Sequence, residues 1–427
     1  MVLDIEHVRS QFPSLASGYI FGDNAGGSQV TSDVIARITD YLINSNVQLG
    51  ADYSVGQLSN QRVAEGPIAA KELFNAADHN EIAFGASSTL LLENLTRSMD
   101  ERIQKGDEFI ITEEHEANGG AWKKLADRRG AVIKYWRPKP TSASNPYSVA
   151  YSIPDLLPLI SSRTRIVAFS ACSNILGSIF PVEEIVKSVR SRALTEGAAN
   201  VEVSVDSVAY APHRQIDVRK WDVDYCIFSF YKVYGPHASA LYMRTASLHA
   251  LSSLLVHHFL KVDKSAYKLQ PGGPGYEIVY ATTAVLPYLL SLSTGPSGPG
   301  SLQASFALIA EHEQTLIEPL LAFLTAPEQT ERGVRVVGDT KVGLDRVPTI
   351  SFVVTGQRPL KSKDVVGAFD AKGGIGIRYG HFYAYTLVDN LSPKLDVDDG
   401  VVRISLVHYN TVDEVRRIID ILKEVLQ

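Results

Sequence analysis

Short apolar runs alternate along this chain with longer stretches whose apolar residues recur at helical spacing. The runs at 107–112, 131–136, 164–170, 201–206 and 225–229 read as successive strands, with helices between them. Strand and helix in alternation predict an α/β protein built on a largely parallel sheet. The segment 138–151, rich in Pro, Ser and Asn, reads as a surface loop, and the glycines and prolines of 293–301 forbid either regular element. That break follows a helix-like run at 280–292 that would join two domains. Beyond it come a long helix at 302–324, a strand at 347–354 and a final helix. The last helix opens on a capping box, Thr411 with Glu414, and then sets Val415, Ile418, Ile419 and Leu422 on one face. No internal repeat or low-complexity tract occurs.

With 427 residues, 45% hydrophobic and 21% charged, the chain has ample core for two domains. Its 41 basic and 47 acidic residues give a net charge of −6, without basic runs or basic amphipathic stretches, which argues against a nucleic-acid or membrane partner. Two cysteines, Cys172 and Cys226, make neither a disulfide framework nor a metal site, and each lies in an apolar, strand-like run where a thiol is inert packing. The N-terminus lacks a basic segment followed by an apolar one, and no stretch is long enough to span a bilayer. The expected location is cytoplasmic.

Candidate chemistry centres on Lys232, which sits inside an aromatic and apolar strand that ends at Gly235 and Pro236. Burying an ammonium costs several kcal/mol unless it is paired or deprotonated. A desolvated lysine of lowered pKa is a nucleophile toward carbonyls and holds pyridoxal 5′-phosphate (PLP) as a Schiff base; an isolated one equally snorkels its head to solvent from a strand end. PLP needs a carboxylate near its ring nitrogen. Asp206, closing a strand at the carboxyl edge of the sheet, answers that need, or else caps a following helix. The phosphate needs helix N-terminal amides and hydroxyls. Ser88 and Thr89, ahead of an apolar helix, provide them, with Ser229 as a further hydroxyl.

In this setting the chain resembles the class V aminotransferase group of fold-type-I PLP enzymes, most closely its cysteine-desulfurase-like branch. The likeness runs from Tyr19 to the C-terminus with motifs in matching order. It is carried by Asp23, Asn24 and Ala25; by Glu114, His115 and Asn118; by Ser173, Asn174 and Gly177; by Asp206; by Ser229, Lys232 and Pro236; and by Arg403, Tyr409 and Asn410. The resemblance implies a large domain at 20–285 with a mainly parallel, seven-stranded sheet and a smaller α/β domain from 1–19 and 286–427. It also implies a homodimer with sites at the interface. Lys232 would bear the cofactor and move protons, Asp206 would pair with the pyridine nitrogen, and His115 would stack on the ring. Asn174 would meet the phenolic oxygen or the substrate, while Ser88, Thr89, Ser229, Tyr231 and Gly273 would hold the phosphate. Arg403 would clamp the carboxylate of an amino-acid substrate, with Arg378, Asn24 and His381 nearby. Taken singly, His115 serves as well to cap a loop, Asn174 to form a turn and Arg403 to make an ion pair.

Departures from the family pattern bear on the reaction. Desulfurases carry a nucleophilic cysteine in a mobile Arg-x-Gly-x-x-Cys segment; here the run is Arg378 to Tyr383, with tyrosine in the thiol position. Ala209 replaces a glutamine or histidine, Tyr231 a histidine before the lysine, and Gly272, Gly273 and Pro274 a Gly-Thr pair. His381, Phe382, Tyr383 and Tyr385 would line an aromatic mouth, with Tyr383 an acid, base or packing group. The expectation is carbanion chemistry at Cα or Cβ of an amino acid in secondary metabolism. Decarboxylative or Mannich-type cyclisation, as in loline alkaloid formation, is its most specific form. The alternatives are a C–S lyase of the ergothioneine type, an aminotransferase, or a non-catalytic relative.

Overall fold

The computed structural model describes residues 2–427 apart from 199, 263 and 295–299. Its larger sheet has seven strands: β1 (Ile82–Gly85), β2 (Glu108–Thr112), β3 (Val132–Trp136), β4 (Thr164–Ser170), β5 (Glu202–Asp206), β6 (Tyr225–Ser229) and β7 (Ser239–Met243). Their order is β1-β7-β6-β5-β4-β2-β3. The five strands from β6 to β3 are mutually parallel, and β7 runs antiparallel between β1 and β6. This is the fold-type-I architecture, and all five runs expected as strands lie in it.

Successive side chains of a strand face opposite sides, and here both sides are dry. Phe109, Ile111, Ile166, Ala168, Tyr225 and Ile227 pack on one face against helices α1 (Ser88–Ser98) and α2 (Glu116–Arg129). Ile110, Val167, Phe169, Val203, Val205 and Phe228 pack on the other with helix α3 (Val182–Glu196). Burial on both faces explains why these strands read as continuous apolar runs rather than alternating ones.

A second, antiparallel sheet joins β8 (Val334–Val337), β9 (Thr349–Val354), β10 (Arg378–Gly380) and β11 (Val401–Ser405) in the order β8-β9-β11-β10. Helices α4 (Leu302–Leu324) and α5 (Val412–Val425) share its apolar cluster. The capping box of α5 is formed in both directions, Glu414 N to Thr411 Oγ1 and Thr411 N to Glu414 Oε2, each 3.2 Å. At the N-terminus, Leu3, Val8, Phe12 and Leu15 join the cluster of the larger sheet. Ile20 and Phe21 pair in parallel with Ile375 and Gly376 beside the smaller one.

Three expectations change. The 138–151 segment is not a plain surface loop: Lys139–Pro140 pairs with Val149–Ala150, Tyr147 and Val149 are buried, and Gly338 N donates to Tyr147 O at 2.9 Å. The run 280–292 is two short helices, Tyr276–Thr282 and Val285–Ser291. Pro287 lies in the first turn of the second helix, where a missing N–H leaves no helical hydrogen bond unmade. Lys232 lies beyond β6 rather than inside it, because Phe230–Lys232 form a 3-10 turn and Tyr234 takes a left-handed φ of 62°. Of the 293–301 break, residues 295–299 fall outside the described ones. Among the described residues no helix is long and apolar enough to cross a membrane, and no cluster of His, Cys, Asp and Glu could hold a metal.

Candidate active site

Asp206 ends β5, and the loops leaving β2, β4 and β6 carry His115, Asn174 and Lys232 to the same edge of the larger sheet, the carboxyl edge where open α/β folds bind ligands. The chain leaving β1 delivers Ser87, Ser88 and Thr89 to the same edge at the start of α1. A cavity of about 450 Å³ opens among these elements and the second sheet, reached also by Arg378, Phe382, Tyr383 and Arg403. Its deeper slot is walled by Lys232, Asp206, His115, Asn174, Cys172 and Ala209.

Lys232 is 5% exposed. Burial, reinforced by the positive charge of Arg403, pushes its ammonium down to about 8, although Asp206 and Asp23 pull the other way. A substantial neutral fraction is therefore present near neutral pH, which is what a nucleophile toward carbonyls requires. When the cofactor-free protein is mixed with PLP and trapped with borohydride, the labelling rate is expected to rise with a half-point near pH 8. A half-point at the ordinary lysine value would contradict this assignment.

Asp206 is buried, and its carboxyl is raised by desolvation against the pull of the Val208 amide and Lys232. Its Oδ1 accepts from Val208 N at 2.9 Å, closing a turn rather than capping a helix, since no helix follows until Val218–Trp221, and it also walls the slot. His115 is the N-cap of α2, and its Nδ1 accepts from Ala117 N at 3.2 Å. That bond leaves any proton on Nε2. Burial, together with Lys232 and Arg403, pushes the imidazole down to about 3, so it is neutral across the physiological range.

The opposite end suits an anion. Ser87 Oγ takes the Leu90 amide at 3.2 Å, leaving the first-turn amides of Ser88 and Thr89, with their hydroxyls, at the cavity wall. Tyr231 lines both parts of the cavity, its ring stacked at 11° on His237. Ser229 is not brought to the cavity: it is fully buried and its hydroxyl pairs with Ser239 Oγ at 2.7 Å. Gly273 lines a separate cavity with Gly85, Leu90 and His237.

On the side of the second sheet, Arg403 is 1% exposed and pairs through Nη2 with Asp23 Oδ1 at 2.8 Å. Its Nη1 donates to Asn174 O at 3.2 Å, and its buried Nε has no partner. Arg378 holds the other Asp23 oxygen at 3.3 Å. Phe382 lies between the two cations, its ring centroid 3.6 Å from Arg403 Cζ and 5.3 Å from that of Arg378. Asn24 is spent on structure, donating to Phe21 O, Ser405 O and Asn410 Oδ1 and accepting from Tyr409. Its neighbours Ala25 and Gly26 reach the cavity instead. His381 stands outside the cavity wall, its Nδ1 accepting from Tyr383 N at 3.2 Å.

Tyr383 stands at the mouth, mostly exposed, its ring centroid 5.6 Å from that of His115. Phe382 and Tyr383 both have left-handed φ, 51° and 60°. Such conformations cost non-glycine residues of order 1–3 kcal/mol each and persist only where surroundings enforce them. Here Asn174 Nδ2 holds Phe382 O at 3.0 Å, Glu116 N holds Tyr383 O at 2.7 Å, and Thr386 binds Glu116 Oε1 at 2.6 Å. Nothing in the local sequence around Asp23 or Glu114 gives either of them a role. Their partners, Arg403 and Ser173, are far off in sequence and only folding reveals the pairing.

Residues 20–418 match the model of the family described as Aminotransferase class-V. The chain belongs to that family. An aminotransferase-like protein of Gibberella zeae, FGM3, is 42% identical over 99% of this chain and 98% of its own length. A nonribosomal peptide synthetase-like enzyme of Aspergillus fumigatus, fsqF, is 32% identical over 98% of this chain but only 26% of its own length. Among solved structures, the apo cysteine desulfurase of Thermococcus onnurineus superposes with a TM-score of 0.84 at 21% identity, covering 100% of this chain and 98% of that one.

PLP is the cofactor of class V aminotransferases, and the residues present fit it. Lys232, the Asp206 carboxylate and the hydroxyl-bearing helix N-terminus surround one slot, and Asn174 Oδ1 there is buried without a partner. When bound, PLP is an electron sink for charge at the α-carbon of an amine substrate. In this class V protein no cysteine lies at the mouth. Cys226 is in β6, its thiol pushed up by burial to about 12. Cys172 lies just past β4 rather than within it and walls the slot, with burial raising its thiol far above the ordinary value. Both are protonated at neutral pH and poor nucleophiles.

Proposed function

We propose that this protein is a PLP-dependent enzyme of small-molecule biosynthesis that makes or breaks a bond at Cα or Cβ of an amino acid, and that it does not mobilise sulfur. The observation that carries the reading is the mouth of the cavity. Tyr383 occupies it on a pinned, strained turn, where sulfur transfer would need a mobile thiolate. Lys232 is the acid and base at the α-carbon, neutral His115 orients the cofactor ring, and Arg403 receives the α-carboxylate. The aromatic wall favours a bulky or semi-apolar substrate over free cysteine. Support comes also from a relative named as nonribosomal peptide synthetase-like. Cyclisation through an added C–C or C–N bond is the most specific form of the reading.

Transamination is the second reading, favoured by the name aminotransferase-like on the 42% identical relative. A homodimer belongs to the same proposal. The exposed apolar residues Leu42, Ile43, Tyr53 and Phe259 support it, and Gly273 would then serve the partner's phosphate. The PLP-loaded protein, incubated with single amino acids with and without an aldehyde or 2-oxo acid, is to be followed by mass spectrometry. Products altered at Cα or Cβ are expected. Alanine and enzyme-bound persulfide formed from cysteine would overturn the reading.

A further inference from the structure

Glu114 precedes His115 on the loop leaving β2, yet it is not part of the cavity wall. It is 3% exposed, and its Oε2 accepts from Ser173 Oγ at 2.8 Å, while Oε1 has no hydrogen-bond partner. Around it stand the Tyr151 hydroxyl and Asp206, and burial pushes its carboxyl up to about 7. A desolvated acid whose neighbours are only the hydroxyls of Ser173 and Tyr151 and the carboxyl of Asp206 is costly to the fold. Its 2.8 Å bond to Ser173 is the one that reaches the turn carrying Asn174.

Ser173 Oγ is the centre of a three-way contact. A hydroxyl has one proton and two lone pairs. With the proton given to Glu114, the oxygen faces the amides of Ile175 at 3.3 Å and Leu176 at 3.0 Å. This fixes the turn 173–177, closed by Gly177 N to Ser173 O at 3.1 Å. Gly177 has a φ of 68°, and a Cβ there would stand 2.2 Å from the Thr349 carbonyl oxygen, so the turn has no freedom to shift toward β9. Asn174, carried on this turn, accepts Arg403 Nη1 through its carbonyl and donates from its side chain to Phe382 O.

We propose that Glu114 is a positioning residue: through Ser173 it sets the Asn174 turn, and through Asn174 it aims the Arg403 guanidinium at the carboxylate of an amino-acid substrate. This rests on the reading of the site given under Proposed function. Without the Glu114 acceptor the Ser173 proton turns to another partner, the amides lose their acceptor geometry, and Arg403 loses one of its two hydrogen-bond anchors, keeping Asp23 and the Phe382 ring.

The test is binding to the PLP-loaded protein, read from the cofactor's absorption. The twenty common amino acids are titrated, and the tightest binder is compared with the amine of the same side chain lacking the carboxylate. Glu114→Leu and Ser173→Ala should each weaken the amino acid about tenfold, corresponding to about 1.4 kcal/mol, while the amine is unchanged. Glu114→Gln keeps an acceptor for Ser173 and should restore wild-type affinity. Equal weakening of amino acid and amine, no weakening at all, or a Glu114→Gln protein as impaired as Glu114→Leu would overturn the proposal. If Glu114→Leu does not fold, Ser173→Ala decides alone. A wild-type protein that binds PLP but responds to no amino acid refutes the amino-acid reading itself, and the proposal with it.

Discussion

Lys232→Ala is expected to give a folded protein that no longer acquires the visible absorption of a lysine-bound cofactor and whose turnover falls by roughly 10³-fold or more. The size of the effect follows from two roles carried by one amine. Lys232 walls the slot with a pKa lowered to about 8, so on the proposed reading it would both hold PLP and serve as the acid and base at the substrate's α-carbon. Alanine supplies neither role. Folding is expected to survive, because a desolvated charge is removed and a small void is left beside an existing cavity. Added methylamine should restore part of the turnover by supplying a free base. Cofactor absorption equal to wild type in this variant would be incompatible with the site described.

Asp206→Asn should reduce turnover by roughly 10²–10³-fold, the scale of losing one preorganised charge contact, and weaken retention of PLP. Asparagine keeps an oxygen for the Val208 amide, so the turn after β5 is preserved and the loss reports the charge. That charge matters because burial has already raised the carboxyl's pKa, and the cationic ring nitrogen of PLP would be the partner that brings it back down. A second consequence separates this role from a purely structural one. Asp206 is among the groups that raise the Lys232 pKa, so the half-point of borohydride-trapped labelling should move below its wild-type position in Asp206→Asn. An unchanged half-point together with full turnover would leave Asp206 as a turn cap only.

The larger sheet was legible because parallel strands dry on both faces appear as unbroken apolar runs. Thr164–Ser170 and Tyr225–Ser229 were placed to the residue. Strands β1 and β7 were not singled out, since runs as short as Ile82–Gly85 do not stand out from the helices beside them. Asp206 was legible for the same topological reason, because it closes a strand at the carboxyl edge, whereas His115 and Asn174 took their roles from the family resemblance and Lys232 was expected inside its strand. What the sequence hid were pairings closed by folding. Asn24 looked available for substrate but is consumed by Phe21, Ser405, Asn410 and Tyr409. Ser229 looked ready for phosphate but faces Ser239 across the sheet. The Asp23 bridge between Arg378 and Arg403 spans most of the chain, and no local pattern announces it.

If Lys232, and no other lysine, carries the cofactor, reduction must fix the cofactor at that residue. The most direct measurement is peptide mapping of the purified protein after loading with PLP and reduction by borohydride. A pyridoxyl group is expected on the peptide containing Lys232 alone, at one per chain. A label distributed over surface lysines, or none on Lys232, would contradict it.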